Sequence, residues 1–312
     1  MITIRELRKD YGAFTAVQDI SLETQAGEVF GLLGPNGAGK STTIGCLSGL
    51  ITPSSGEIMV AGHNLATAPR DAKRSLGVVP QDLAIYEDLP AAENLRYWGA
   101  AYGLRGVGLR DRVAEVLDVI GLADRAGDKP REFSGGMKRR LNFGCGIVHA
   151  PQVLLLDEPT VGVDPQSRER LFDMVRAQTA RGATVLYTTH HMEEAETLCD
   201  RIAIVDKGRK IAEGTLEELR TEVGERDVIT LSGRFDQEAV EVALSEIGQA
   251  DTVEILQIDA TRLTIETRDG PSRLAGLLDA LGRNGNSAAE TLVRRPNLES
   301  LFLKLTGTEL RA

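Results

Sequence analysis

The sequence predicts an α/β fold, a mostly parallel sheet flanked by helices, followed by a smaller α+β domain. Three observations carry this. Short apolar runs suited to strands buried on both faces recur along the first part of the chain, and helix-compatible stretches alternate with them. After about residue 222 the texture changes to denser strand patterns. At 312 residues the chain is longer than one core usually supports, so two domains are expected, 1–222 and 223–312.

In chain order the buried strands are "EVFGLLG" (28–34), "LGVVPQ" (76–81), "QVLLLDEP" (152–159), "ATVLYTTH" (183–190) and "RIAIVDKG" (201–208). Helices are predicted over 109–120, where Val113, Val116, Leu117 and Ile120 recur at helical spacing, and over 165–180 after "DP". Thr215 and Glu218 have capping-box spacing and close the first domain. Beyond it the reading is strand 227–232, helix 236–247, strands 252–258 and 261–267, helix 271–282, strand 288–294 and helix 297–306. This βαββαβα order is ferredoxin-like with one extra helix. In that last helix Leu298, Leu301, Phe302 and Leu305 form a stripe expected to be core.

Composition narrows the function. With 46 acidic against 36 basic residues the net charge is −10, against a broad nucleic-acid footprint. Cys46, Cys145 and Cys199 are too few and too far apart for a disulfide framework or a metal knot and are expected to be reduced and buried. No apolar run is long enough to span a membrane, and the start lacks the apolar stretch of a secretory signal.

The strongest motif is "GPNGAGKST", residues 34–42, placed between an apolar strand and a helical run. Gly34, Gly37 and Gly39 let successive N–H groups turn toward one point. Lys40 can then reach β- and γ-phosphates, and the Ser41 hydroxyl can ligate Mg²⁺. "VLLLDEP" delivers two neighbouring carboxylates at a strand end: Asp157 suited to hold Mg²⁺, and Glu158 suited to polarise water as general base. "FSGGMKRR" sets Ser134, Gly135 and Gly136 before a helix, which suits either a phosphate site without a lysine or an ordinary capped helix.

Together "GPNGAGKST", "FSGGMKRR", "LLLDEP", "VGVD" and the histidine of "TTHH" resemble, in order, the motif set of an ATP-binding cassette (ABC) ATPase over about residues 1–220. The resemblance implies a P-loop cassette with a mostly parallel sheet, an antiparallel β subdomain and a helical subdomain at about 82–150. It also implies head-to-tail pairing of two copies. In that arrangement Ser134, Gly135 and Gly136 of one copy meet the γ-phosphate of ATP held by the other copy's Gly34, Pro35, Asn36, Gly37, Ala38, Gly39, Lys40, Ser41 and Thr42. Gln81 takes the place of the glutamine that senses Mg²⁺ and water, His190 that of the switch histidine, and Asp164 that of the acid between subunits. Tyr11 stands where the family places an aromatic against adenine, although a plain strand-end tyrosine fits as well. His191, His63 and His149 are expected to be structural. Phe133 and Met137 depart from the commonest signature without touching its serine or glycines.

Among uses of such a cassette, a chromosome ATPase needs a long heptad insertion between Lys40 and Ser134, which is missing, and a translation factor needs two cassettes and basic segments. A transporter subunit remains. It is expected to bind ATP and Mg²⁺, pair with a second copy of itself, contact the membrane only through a separate permease at its cytoplasmic face, and bind no nucleic acid. "ENLRYWGAAYG" offers Tyr97 and Trp98 either to the permease or to the core. The tail "RRPNLESLFLKLTG" resembles that of bacterial multidrug, antibiotic, lipid and polysaccharide exporters, which favours export over import.

Overall fold

The computed structural model describes residues 1–223, 226–246, 253–268 and 270–294, together with Leu298, Leu301, Phe302 and Leu305. The chain divides into two compact units, Met1–Thr215 and a second beginning at Leu216.

The first unit opens with β1 (Ile2–Tyr11) and β2 (Phe14–Glu23), then β3 (Val29–Leu33), α1 (Lys40–Leu47), β4 (Ser55–Val60), β5 (His63–Asn64), α2 (Pro69–Arg74) and β6 (Leu76–Val79). The helices α3 (Ala91–Ala101), α4 (Gly106–Val119) and α5 (Gly135–Ile147) follow. Then come β7 (Val153–Asp157), α6 (Pro165–Ala180), β8 (Thr184–Thr189), α7 (Met192–Leu198), β9 (Arg201–Asp206) and β10 (Arg209–Gly214). Two sheets result. One is antiparallel, in the order β2-β1-β4-β5; the other runs β10-β9-β3-β8-β7-β6 and is parallel except at β10–β9.

Every residue of β3, β7 and β8 is buried, which is why these strands read as continuous apolar runs rather than alternating ones. Phe30, Leu32, Leu155 and Leu186 of the parallel sheet share a core with Ile4, Leu7, Val17 and Ile20 of the antiparallel one. The parallel arrangement brings the ends of β3, β7 and β8 to one edge, where open α/β sheets bind their ligands. Helix α6 coincides with the predicted span. α4 begins three residues earlier than predicted, and its Val113, Val116 and Leu117 are buried as the spacing implied.

The end of α5 is fastened to β6 by an aromatic pair. The Tyr102 ring stacks on His149 with centroids 3.5 Å apart, and the Tyr102 hydroxyl (3.2 Å) and His149 Nε2 (3.1 Å) both donate to the Leu76 carbonyl. Burial pushes the His149 imidazole down to about 4, with the Leu76 hydrogen bond opposing and the Arg112 charge adding to the fall. The folded value lies below the ordinary one. The stability contributed by neutral His149 is therefore complete above about pH 6.5 and is lost as pH falls from there toward 4. Between pH 7 and 5 the native protein is expected to lose about 1–2 kcal/mol through this residue. Denaturant midpoints at the two pH values check this: His149→Gln should flatten the slope, and an unchanged slope refutes the assignment.

The second unit contains α8 (Leu216–Val223), β11 (Arg226–Arg234), α9 (Gln237–Glu246), β12 (Val253–Ile258), β13 (Arg262–Arg268), α10 (Gly270–Arg283) and β14 (Ser287–Arg294). Its sheet order, β12-β13-β11-β14, all antiparallel, is the ferredoxin-like arrangement. Ile229, Leu231, Leu263 and Ile265 pack with Val240 and Leu244 of α9 and Leu277 and Leu281 of α10. Most of the predicted helix 297–306 lies outside the described residues. Of its stripe Leu298, Leu301 and Phe302 are buried, whereas Leu305 is exposed.

Candidate nucleotide and catalytic site

The loop 34–39 leaves β3 and turns directly into α1. Gly39 caps that helix at φ 99°, and a Cβ there would stand 2.6 Å from the Ala16 carbonyl oxygen, so conformation and space both exclude a side chain. Asn36 and Gly37 are exposed at the loop tip. Ala38 is buried, and its N–H donates to the Pro35 carbonyl at 3.1 Å. The start of α1 faces a cleft of about 230 Å³ lined by Phe14, Ala16, Lys40, Ser41, Gln81 and Glu158, among others.

The charged groups at this cleft form one chain. Lys40 Nζ lies 3.0 Å from Glu158 Oε1 and donates to the Gly34 and Pro35 carbonyls at 2.7 and 3.1 Å. Glu158 Oε2 is 3.0 Å from His190 Nδ1. The side chains of Lys40 and Glu158 are 4% and 7% exposed, so each charge depends on the other. Glu158 itself has φ 43°, in the sparsely used left-handed region, and its N–H is fixed by the Thr188 carbonyl and hydroxyl. Strain of this kind persists only where neighbours over-determine it.

Beside it Asp157 accepts from the Thr188 hydroxyl at 2.7 Å and the Ser41 hydroxyl at 3.3 Å through one oxygen. Ser41, Asp157 and Gln81 offer hydroxyl, carboxylate and amide oxygens, the hard donor set that suits Mg²⁺. Gln81 is placed from a distance in sequence. Its carbonyl accepts from Arg139 of α5, which also donates to the Val161 carbonyl at 3.1 Å, while Asn142 of α5 accepts from Ala84 N and donates to the Pro80 carbonyl. Arg139 and Asn142 escaped the sequence reading because they sit inside what looks like an ordinary helical run. Phe14 escaped it too; this exposed aromatic pairs across the β1–β2 hairpin with Tyr11 and lines the cleft. Tyr11 is also exposed but is not among the lining residues, and Lys9 Nζ sits 4.9 Å over its ring.

Ser134, Gly135, Gly136 and Asp164 are likewise not among the residues lining this cleft. Ser134 is an exposed N-cap whose hydroxyl accepts from Met137 N at 3.3 Å, and Asp164 caps α6 by accepting from Ser167 N at 3.0 Å. Hydrogen bonds from Ser167 hold the Asp164 carboxyl below its usual range. Gly135 is exposed, whereas a Cβ on Gly136 would lie 2.3 Å from Ser167 Oγ, so the second glycine lets α5 approach α6.

The sequence pattern of the ABC transporter family matches residues 17–161. The chain is 43% identical over the full length of both proteins to the linearmycin resistance ATP-binding protein LnrL of Bacillus subtilis. It is 39% identical to the Nod factor export ATP-binding protein I of Cupriavidus metallidurans, covering 100% of this chain and 99% of that one. With the daunorubicin resistance ATP-binding protein DrrA3 of Streptomyces coeruleorubidus it shares 37% identity over 99% and 97%. Among solved structures, an ATP-binding subunit of an ABC transporter superposes with TM-score 0.66 at 34% identity, covering 72% of this chain and 93% of that one. A dimeric ATP-binding cassette bound to ADP and Pi gives 0.63 at 25% identity, over 69% and 98%.

Proposed function

The chain belongs to the ABC transporter family, and on that premise we propose that it drives an exporter through a separate membrane permease, working as a head-to-tail pair of copies. It is an ATP hydrolase. The observation that carries the catalytic reading is the position of Glu158, its two oxygens 3.0 Å from Lys40 and from His190 at the end of a fully buried strand.

In this reading the phosphates of ATP lie along loop 34–39 and the start of α1, and Lys40 gives up Glu158 for the γ-phosphate. Glu158, released, accepts a proton from water as the water oxygen bonds the γ-phosphorus. The bond to the bridging oxygen breaks, and ADP leaves with that electron pair. His190 then donates to the γ-phosphate. Ser41, Asp157 and Gln81 would hold Mg²⁺, which supplies charge neutralisation at the β- and γ-oxygens when bound. The base stacks at the hairpin tip that carries Tyr11 and Phe14. The second copy contributes Ser134, Gly135, Gly136 and Asp164.

No helix among the described residues is long and apolar enough to cross a membrane. In this reading membrane contact runs through the permease, at its cytoplasmic face. The permease docks on the helical subdomain, where Leu83, Tyr86, Leu89 and Tyr97 are exposed and Tyr97 makes edge contacts with Tyr86 and Trp98. Residues 1–222 act as the motor and 223–312 as an accessory domain. Kinship with linearmycin and daunorubicin resistance ATP-binding proteins and with a Nod factor export ATP-binding protein supports export of a drug, antibiotic, lipid or polysaccharide. Cells expressing the chain with its permease should accumulate less of such a compound, and Glu158→Gln should abolish the difference. Efflux that persists with Glu158→Gln, or without the chain, would overturn the proposal.

A further inference from the structure

Helix α7 carries the run Glu193, Glu194 and Glu196, which resembles a solvated acidic face, yet Glu194 is only 2% exposed. Its Oε2 accepts three hydroxyl hydrogen bonds, from Thr160 at 2.9 Å, Tyr187 at 2.9 Å and Thr189 at 2.8 Å, and its Oε1 lies 3.8 Å from Arg168 Nη1 on α6. Two of those donors border the catalytic groups. Thr160 stands just beyond Glu158 on the segment leaving β7, and Thr189 immediately precedes His190 at the end of β8. Thr189 Oγ1 also accepts from His191 N at 2.9 Å, so the turn carrying the histidine is bound to the same knot.

We propose that Glu194 is a positioning residue for ATP hydrolysis: one buried carboxylate oxygen ties the segment behind Glu158 to the strand end before His190 and so sets the distance between the two. Such a charge is retained in an interior only when its hydrogen bonds are complete, and here they come from the two elements whose relative placement decides the chemistry. A general base displaced by about 1 Å loses up to about 10²-fold in rate while nucleotide binding, which rests on the loop at β3, is spared. Glu194 itself touches neither Glu158 nor His190 and acts through Thr160 and Thr189. The proposal rests on the reading of Glu158 and His190 as the hydrolytic pair.

The test measures kcat, KM and the Kd for Mg·ATP in the full chain with its permease. Glu194→Met, which keeps length without an acceptor, should lower kcat about tenfold or more with Kd within about threefold, and Glu194→Gln, which keeps an acceptor oxygen, should restore most of it. Thr160→Val and Thr189→Val should each lower kcat several-fold. Tyr187→Phe removes an equal bond to the same oxygen, together with the 3.3 Å contact of its hydroxyl with Thr160 Oγ1, but leaves the Thr160 and Thr189 bonds to Glu194 in place, and should lower kcat less than Thr189→Val does. This control separates positioning from general loss of packing. If Glu194→Met fails to fold, the three hydroxyl variants carry the test alone. A native kcat in Glu194→Met, a Tyr187→Phe defect equal to that of Thr189→Val, or a Kd that weakens in step with kcat overturns the proposal. Glu158→Gln run alongside tests the premise separately, since normal hydrolysis there defeats the pair reading itself, whereas a dead Glu158→Gln beside a native Glu194→Met defeats only this inference.

Discussion

Replacing Glu158 with Gln is expected to lower ATP hydrolysis by about 10²–10⁴-fold, the usual contribution of a general base, while ATP binding is kept or strengthened. The second half follows from the geometry. Lys40 and Glu158 pair at 3.0 Å with almost no solvent, so in the proposed mechanism the carboxylate competes with the γ-phosphate for the same ammonium. Gln removes the competitor. It also leaves the Lys40 ammonium with neutral acceptors, the Gly34 and Pro35 carbonyls and the new amide, in place of its charged partner, and breaking a buried pair costs up to about 3–5 kcal/mol. The variant should therefore melt earlier than the native protein without nucleotide and gain more in Tm on adding Mg·ATP. Phosphate release, a nucleotide titration and two melting curves decide the matter. Native-rate turnover, or a weaker Kd with a smaller thermal shift, would remove Glu158 from the role.

The part of this site that was legible in the sequence is the part built by local chain geometry. A lysine loop must follow a strand and open a helix, and a strand buried on both faces must be apolar until its end, so residues 34–42 and 153–158 announce themselves. Ser134 was legible for the same reason, as the start of a helix, whereas Asp164 was singled out through the family resemblance and the structure shows it capping α6. The rest depends on contacts between distant segments. Arg139 reaches Gln81 across 58 positions, and Glu194 reaches Thr160 across 34. Neither spacing leaves a trace in periodicity. Glu194 had one weak signal: it shares its buried side of α7 with Ala195 and Leu198, whereas its acidic neighbour Glu193 is exposed. Phe14 had none, because an exposed aromatic at a hairpin tip looks the same whether it faces solvent or a ligand.

The proposed pairing of two copies predicts the second large effect. Ser134 is an exposed cap on a 13-residue helix whose N-terminus is not part of the Lys40 cleft, so within one chain its phosphate-binding equipment has no phosphate to meet. If it serves the partner's ATP, Ser134→Arg should cut hydrolysis by about 10²-fold or more with Kd for ATP nearly unchanged, since the lost donor acts only on the transferring phosphate. A crosslink makes the geometry explicit. Ala38 is buried and unsuitable as an anchor, but Asn36 at the loop tip and Ser134 are both exposed. The native Cys46, Cys145 and Cys199 are buried, and burial raises all three thiols, so a short bismaleimide pulse labels the introduced pair first. In a Glu158→Gln background, Asn36→Cys with Ser134→Cys should give a band of doubled mass with Mg·ATP and little without it. A crosslink closed within one chain, or one indifferent to nucleotide, would mean that Ser134 does no more than cap α5.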